Sequence, residues 1–319
     1  MQISQEEHRL LYRIARAYYG DGQTQQEIAG SFGLSRPKVS RLLQRARDAG
    51  VVNITLVPPS AGLADLEREL EARYGLSEAS LVRVSDPDDS DLVARELGPA
   101  AAECLLRSVG DGSVIGLAWG RTILAMVEAL PSQSFAGATV VQLNGGLGPV
   151  GALEHSTEVV RQVAQKLHAH LRLLPAPGMV SSVAAANVLR ADYQISDVLQ
   201  LAARSDVAVV GLGVPTPESV LLRDGNIVSE EDLQALQAAG AVGDVLLRYM
   251  DVDGNPVGLS LNQRIIGLSL EQLARIPRVI AVAGGTAKRQ IIRAALKAGF
   301  VDVLVTDHQT AESLLGNEV

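Results

Sequence analysis

Six short apolar runs recur along the chain: SVIGLAW (113–119), TVVQLN (139–144), LRLLPA (171–176), DVAVVGLG (206–213), RVIAVAGG (278–285) and VDVLVTD (301–307). Most are separated by helix-length segments. Parallel strands need crossovers of a dozen or more residues, and strands covered on both faces read as continuous apolar runs. The alternation therefore predicts a parallel, doubly wound, Rossmann-like α/β domain. One segment departs from it: in LLRYMDVDGNPVGLS (246–260), Asp253-Gly254 predicts a hairpin turn. Ahead of the domain, VPPSAGL (57–63) reads as a hinge. LADLERELEARYGL then predicts an amphipathic helix with Leu63, Leu66, Leu70 and Tyr74 on one face, fit to pack on its own domain or on a second subunit.

The first 57 residues read differently. Leu10, Leu11, Ile14, Ala15 and Tyr18 recur at helical spacing until YGDGQ stops them. Thr24 and Glu27 form a capping-box pair ahead of Ile28, Ala29 and Phe32. Gly33 follows in a turn, Ser35 is placed to cap the next helix, Pro37 falls in its first turn and Gly50 stops it. Two short helices about a glycine turn predict a helix-turn-helix, and VVNITLV (51–57) predicts a strand that makes it winged. Charge supports a polyanionic partner: residues 1–57 hold eight Lys/Arg against five Asp/Glu, net +3, whereas the remainder holds 20 against 31, net −11. On the second of the two helices, Arg36, Lys38, Ser40 and Arg41 fall where base edges are read, and Arg45 and Arg47 where phosphates lie. Gln25 and Ser35 complete the candidate DNA contacts. The expected divisions are 1–57 for DNA binding, 58–62 for the hinge and 63–319 for an effector and oligomerisation domain.

Ligands of open α/β sheets sit beyond the strands' carboxyl ends. There the sequence has GLAWGRT (116–122), NGGLG (144–148), GLGVP (211–215) and AGGTAK (283–288). Glycine turns leading into helices bring backbone N–H groups to an anion. Thr122 adds a hydroxyl, Arg121 and Lys288 add charge, and Lys288 is the one lysine of four in a glycine-rich loop. A phosphate-bearing small molecule fits this set. A dinucleotide does not: Pro149 interrupts Gly146-x-Gly148-x-x-Gly151, and no acid ends the next strand to hold a ribose. Five scattered histidines, His168 and His170 among them, give no metal-ligand spacing, and the single Cys104 forms no intrachain disulfide. No apolar run nears the ~20 residues of a membrane span, and the polar start is unlike a signal peptide. A cytoplasmic protein without a membrane partner is expected.

The motifs LSRPKVSRLL, ARDAGVV, GLAWGRT, VVQLNGGLG, VVGLGVP, LLRDG, AVGDVLLRYMDVDGNPV, VIAVAGGTAKRQIIRAAL and VLVTDHQTA together resemble the SorC/DeoR-type family of sugar-binding bacterial transcriptional regulators over essentially the full length. The resemblance implies an effector domain with the fold of ribose-5-phosphate isomerases and glucosamine-6-phosphate deaminases. It also implies operator DNA as partner, a tetrameric homo-oligomer, and a phosphorylated sugar or sugar alcohol as effector rather than a cofactor. A repressor is the commoner case, an activator the alternative. An isomerase- or deaminase-like enzyme is the competing class, against which no catalytic His or Glu stands in the loops. By motif, the effector site takes Gly116, Trp119, Gly120, Arg121 and Thr122 from the first loop and Asn144, Gly145, Gly146 and Leu147 from the second. Arg223 and Asp244 fall near the sugar, and Gly284, Gly285 and Lys288 in the late loop. Where many members read SWGRT, this chain has Ala118, one hydroxyl fewer.

Overall fold

A computed structural model describes residues 5–52, 62–146, 150–214 and 229–316. The chain divides into two compact units, Met1–Ser60 and Ala61–Val319.

In the first unit, helix α1 (Gln5–Ala15) runs into one wide π turn (Arg16–Gly20), followed by α2 (Gln25–Phe32) and α3 (Arg36–Asp48). The α2 capping box is formed: Thr24 Oγ1 accepts from the Glu27 N–H at 3.3 Å, and Glu27 Oε2 accepts from the Thr24 N–H at 2.8 Å. The Thr24 N–H, and the Thr24 hydroxyl that donates to the same Oε2 at 2.8 Å, hold the Glu27 carboxyl below the usual carboxylate range. Gly33 ends α2 in the left-handed conformation. Ile14, Ala17, Ile28, Ala29, Val39 and Leu43 make the core. Three expectations change. Ser35 holds the N-cap position of α3, but its hydroxyl makes no cap bond. Tyr18 leaves the apolar face because the π turn carries it outward. Of VVNITLV, Val51 and Val52 form a bend packed near Leu11, Ala15 and Ala46. Residues 53–57, and 58–61 of the hinge, lie outside the described residues.

In the second unit all six expected runs are strands: β2 (Val114–Leu117), β3 (Thr139–Gln142), β4 (His170–Arg172), β5 (Val207–Gly211), β8 (Val279–Val282) and β9 (Val303–Asp307). They form a wholly parallel sheet with a further strand, β1 (Glu78–Val82), in the order β1-β9-β8-β5-β2-β3-β4. Apart from β1 this is the dinucleotide-fold order, winding outward from β2 in both directions. Side chains of β3, β5 and β9 alternate between two apolar layers. One layer lies under α5 (Ser90–Ser108), α6 (Arg121–Ala129) and α7 (Val150–Lys166). The other lies under α8 (Val183–Ala191), α9 (Tyr193–Ala202) and two late helices, Arg289–Lys297 and His308–Leu315.

Helix α4 (Leu63–Tyr74) packs on its own domain, which resolves the choice left by its apolar stripe. Tyr74 Oη donates to the Leu314 carbonyl at 3.0 Å, and Arg73 donates to that of Leu315 at 2.7 Å. Its carboxylates also close the edge of the sheet, since Glu71 and Glu67 accept from the N–H groups of Ala79 and Leu81 on β1 at 2.9 and 3.0 Å. An edge strand so covered offers no ladder to a second chain there.

The expected hairpin is displaced. Its strands are β6 (Gly243–Val245) and β7 (Arg248–Met250), and its turn is Leu246-Leu247, both with positive φ, 52° and 68°. The chain does reverse at Asp253-Gly254, where the Asp251 N–H donates to the Asn255 carbonyl at 2.9 Å, but only the Met250–Pro256 bridge follows. Pro256 has no N–H with which to extend a ladder.

Candidate functional site

The sheet's winding reverses between β2 and β5, and a pocket of about 120 Å³ opens at their carboxyl ends. From β2 come Ala118, Trp119 and Gly120. Gly120 has φ 145°, a conformation that favours glycine, and it turns the chain directly into α6 so that the start of this helix faces the pocket. Thr122 is buried and donates its hydroxyl to the Val282 carbonyl at 3.1 Å. Arg121 lines the pocket, but its guanidinium is engaged by Asp91 at 2.7 Å and Ser90 at 3.1 Å on α5. Trp119 is both wall and core: it packs against Leu236, Tyr249 and Leu261 and donates from Nε1 to the Gly145 carbonyl at 3.3 Å.

From β5 come Leu212, Gly213 and Val214. Gly213 and Asp244 exchange both backbone hydrogen bonds, at 2.9 and 3.0 Å, which sets Asp244 on the pocket floor. A Cβ on Gly213 would stand 2.2 Å from Asp244 Oδ1, so only glycine permits this approach. Asp244 Oδ2 accepts from the Leu247 N–H at 3.0 Å, whereas Oδ1 is buried with no partner among the described residues. Asn144, 1% exposed, also lines the pocket, and its Oδ1 is buried with no partner among the described residues. Two orphaned acceptors are costly as they stand and would be satisfied by hydrogen-bond donors on a ligand.

Lys288 supplies the pocket's cation. Burial first, and the Arg121 charge second, push its pKa down to about 8, against the pull of Asp244. Burial pushes Asp244 up to about 6, partly offset by the Leu247 N–H and by Lys288. Because the folded chain holds the Asp244 proton more tightly than the unfolded chain does, the unliganded protein is expected to gain stability as pH falls from about 6 towards 4. Lys288 has the opposite shift, so stability also rises from about pH 8 towards 10. Thermal unfolding against pH should show both limbs, with the acid limb flattened in Asp244→Asn. An unchanged acid limb in that variant would assign the proton to another group.

Of the sequence-derived residues, the pocket brings together Trp119, Gly120, Arg121, Thr122, Asn144, Asp244 and Lys288. Five glycines are placed elsewhere, by packing. A Cβ on Gly116 would meet Leu143 at 2.5 Å, one on Gly145 the Ala176 carbonyl at 2.5 Å, and one on Gly284 Asp307 Oδ2 at 2.5 Å. Gly285 donates to Asp307 Oδ2 at 2.7 Å, and Gly146 forms a bridge with Pro177. Leu147 and Arg223 lie outside the described residues. Gly213, which fixes Asp244, was signalled only by its GLGVP loop, and the lining residues Leu246 and Leu247 by nothing polar.

On the first unit, Val39, Leu43 and Ala46 turn α3 inward, and Arg36, Lys38, Ser40 and Arg41 are exposed. Gln25, half-buried, begins α2. Arg45 is paired with Glu7 at 2.9 Å, which occupies the charge expected to meet phosphate.

Residues 59–316 match the sugar-binding domain family Sugar-bind. The deoxyribonucleoside regulator of Bacillus subtilis (strain 168) is 32% identical over 315 residues, covering 99% of this chain and 100% of that protein. The transcriptional regulator LsrR of Klebsiella pneumoniae is 34% identical over 319 residues, covering 97% and 93%. Among solved structures, the full-length sorbitol operon regulator SorC from Klebsiella pneumoniae superposes with a TM-score of 0.73 at 28% identity, covering 98% of this chain and 100% of that one.

Proposed function

As a member of the sugar-binding family of SorC/DeoR-type transcriptional regulators, this chain regulates transcription, and we propose that it is a repressor that holds operator DNA with α3 and releases it when a phosphorylated sugar or sugar alcohol enters the β2–β5 pocket. The relatives are regulators rather than enzymes. Their names speak of sorbitol and of deoxyribonucleosides, both small molecules that carry hydroxyl groups. We read the second unit as a ribose-5-phosphate isomerase and glucosamine-6-phosphate deaminase type of fold turned to sensing, and the working form as a homotetramer.

The observation that carries the effector reading is the company of Lys288 with two unpartnered buried acceptors, Asp244 Oδ1 and Asn144 Oδ1. Sugar hydroxyls donate to both acceptors, and the phosphate is met by the ammonium and by the start of α6. Arg121, held by Asp91, contributes field rather than a direct contact. On the first unit, α2 and α3 act as a helix-turn-helix, with α3 in the major groove.

Trp119 is the only tryptophan and lines the pocket, so its fluorescence reports on occupancy. Titration with matched pairs of sugars and their phosphates is expected to give a saturable change with a phosphorylated member and none with its free sugar. The same compound should release DNA. A response to the free sugar alone would refute the phosphate requirement, and silence across a broad panel together with no release of DNA would remove sugar phosphates as the effector class.

A further inference from the structure

A second groove, on the first unit, is lined by Tyr18, Tyr19, Gln23, Gln25, Gln26 and Arg36. Its tyrosines owe their position to the π turn, in which the Asp21 N–H donates to the Arg16 carbonyl at 2.9 Å and the Gln23 N–H to that of Ala17 at 3.0 Å. The wider turn keeps Ala17 in the core, 7% exposed, and turns two consecutive tyrosines outward, Tyr18 at 36% and Tyr19 at 42%. Their rings lock edge to face at 4.9 Å between centroids. Neither hydroxyl meets a hydrogen-bond partner among the described residues. The groove thus presents two fixed phenol donors, glutamine amides and, across it, the first residue of α3. Two acids lie close by in the chain: Glu27, which accepts from both the N–H and the hydroxyl of Thr24 at 2.8 Å, and Asp21, exposed beside the lining Gly22.

We infer that this groove seats one sugar-phosphate strand of the DNA that α3 reads, with the Tyr18 and Tyr19 hydroxyls donating to phosphate oxygens. The inference rests on the reading of α3 as the recognition helix. When the second helix of such a pair lies in the major groove, the first crosses the backbone, and α2 begins at this groove. Tyrosine and glutamine are ordinary donors to phosphate, and a net charge of +3 over residues 1–57 favours a polyanion. Such contacts carry no sequence information. They fix how the helix is presented.

The test uses the full chain with Tyr18→Phe, Tyr19→Phe and the pair, against a duplex that the wild type selects from a randomised pool and against a scrambled duplex. Phenylalanine keeps the ring and the edge-to-face contact, so thermal stability should be retained. Each change is expected to weaken binding by about three- to tenfold, equally on both duplexes. The dependence of binding on salt should not change, because a neutral hydroxyl displaces no counterion. Wild-type affinity in the double variant would overturn the inference, as would a loss confined to the selected duplex. If the wild type selects no sequence at all, the DNA reading itself fails, and the wild-type arm shows that separately.

Discussion

Lys288→Met is expected to abolish the effector response and leave DNA binding unchanged. Methionine keeps most of the unbranched stem that lines the pocket and removes the ammonium. Arg121, the other cation at the pocket, is drawn off by Asp91 and Ser90, so no neighbour replaces the lost charge. Removing one partner of a desolvated, hydrogen-bonded charge pair costs about 2–5 kcal/mol, which predicts a fall in effector affinity of about 30-fold or more. A misfolded variant would look inactive too, but it would unfold earlier. Here the unliganded variant should be no less stable, because the buried cation is itself disfavoured, as its lowered pKa shows. Asp244 loses the charge that offsets its burial, so its pKa should move further above 6. Calorimetric titration with the phosphorylated compound found by Trp119 fluorescence, together with DNA release, decides the matter. Retained release at wild-type concentrations would remove Lys288 from the site.

The sheet was legible because most of its strands are buried on both faces and therefore apolar throughout. β1 was not, since EASLV alternates, keeps Glu78 and Ser80, and lies at an edge covered by α4 rather than by another strand. The β6–β7 hairpin was missed for a different reason: its turn is built of two leucines in a conformation that sequence signals assign to glycine or asparagine. Glycine misled in the opposite direction at the strand ends. Gly116, Gly145 and Gly284 stand where chain packs against chain, and in sequence that need looks the same as a loop opened for a ligand. Asp244 came from the resemblance alone, whereas Lys288 was already marked as the one lysine in a glycine-rich loop at a strand end. The GLGVP loop marked the place of Gly213 but not its role, which is to make room for the Asp244 carboxylate by lacking a side chain.

Arg36→Ala and Arg41→Ala should each erase sequence preference far more than they weaken binding to DNA in general. Successive residues of a helix are rotated by about 100°, so the buried stripe Val39, Leu43 and Ala46 fixes which face of α3 is outermost. Arg41 lies nearly opposite that stripe, and Arg36 begins the helix on its flank beside Ser40. Apart from a 3.4 Å contact from Arg41 Nε to the Pro37 carbonyl, neither has a hydrogen-bond or ion-pair partner among the described residues. An arginine bidentate to a guanine discriminates by about 1–3 kcal/mol, or about 5- to 150-fold on the selected duplex. The pair together should approach the product of the two losses if the contacts are independent. Arg45 behaves otherwise, because Glu7 already holds it. Arg45→Ala removes a contact to the chain's own carboxylate as well as any to phosphate, so its loss should be small and the same on selected and scrambled duplexes. Measuring all three variants on both duplexes separates the roles. Equal losses for Arg36→Ala and Arg41→Ala on both duplexes would move these side chains from the base edges to the backbone, leaving sequence to be read by Lys38, Ser40 and the shape of the DNA.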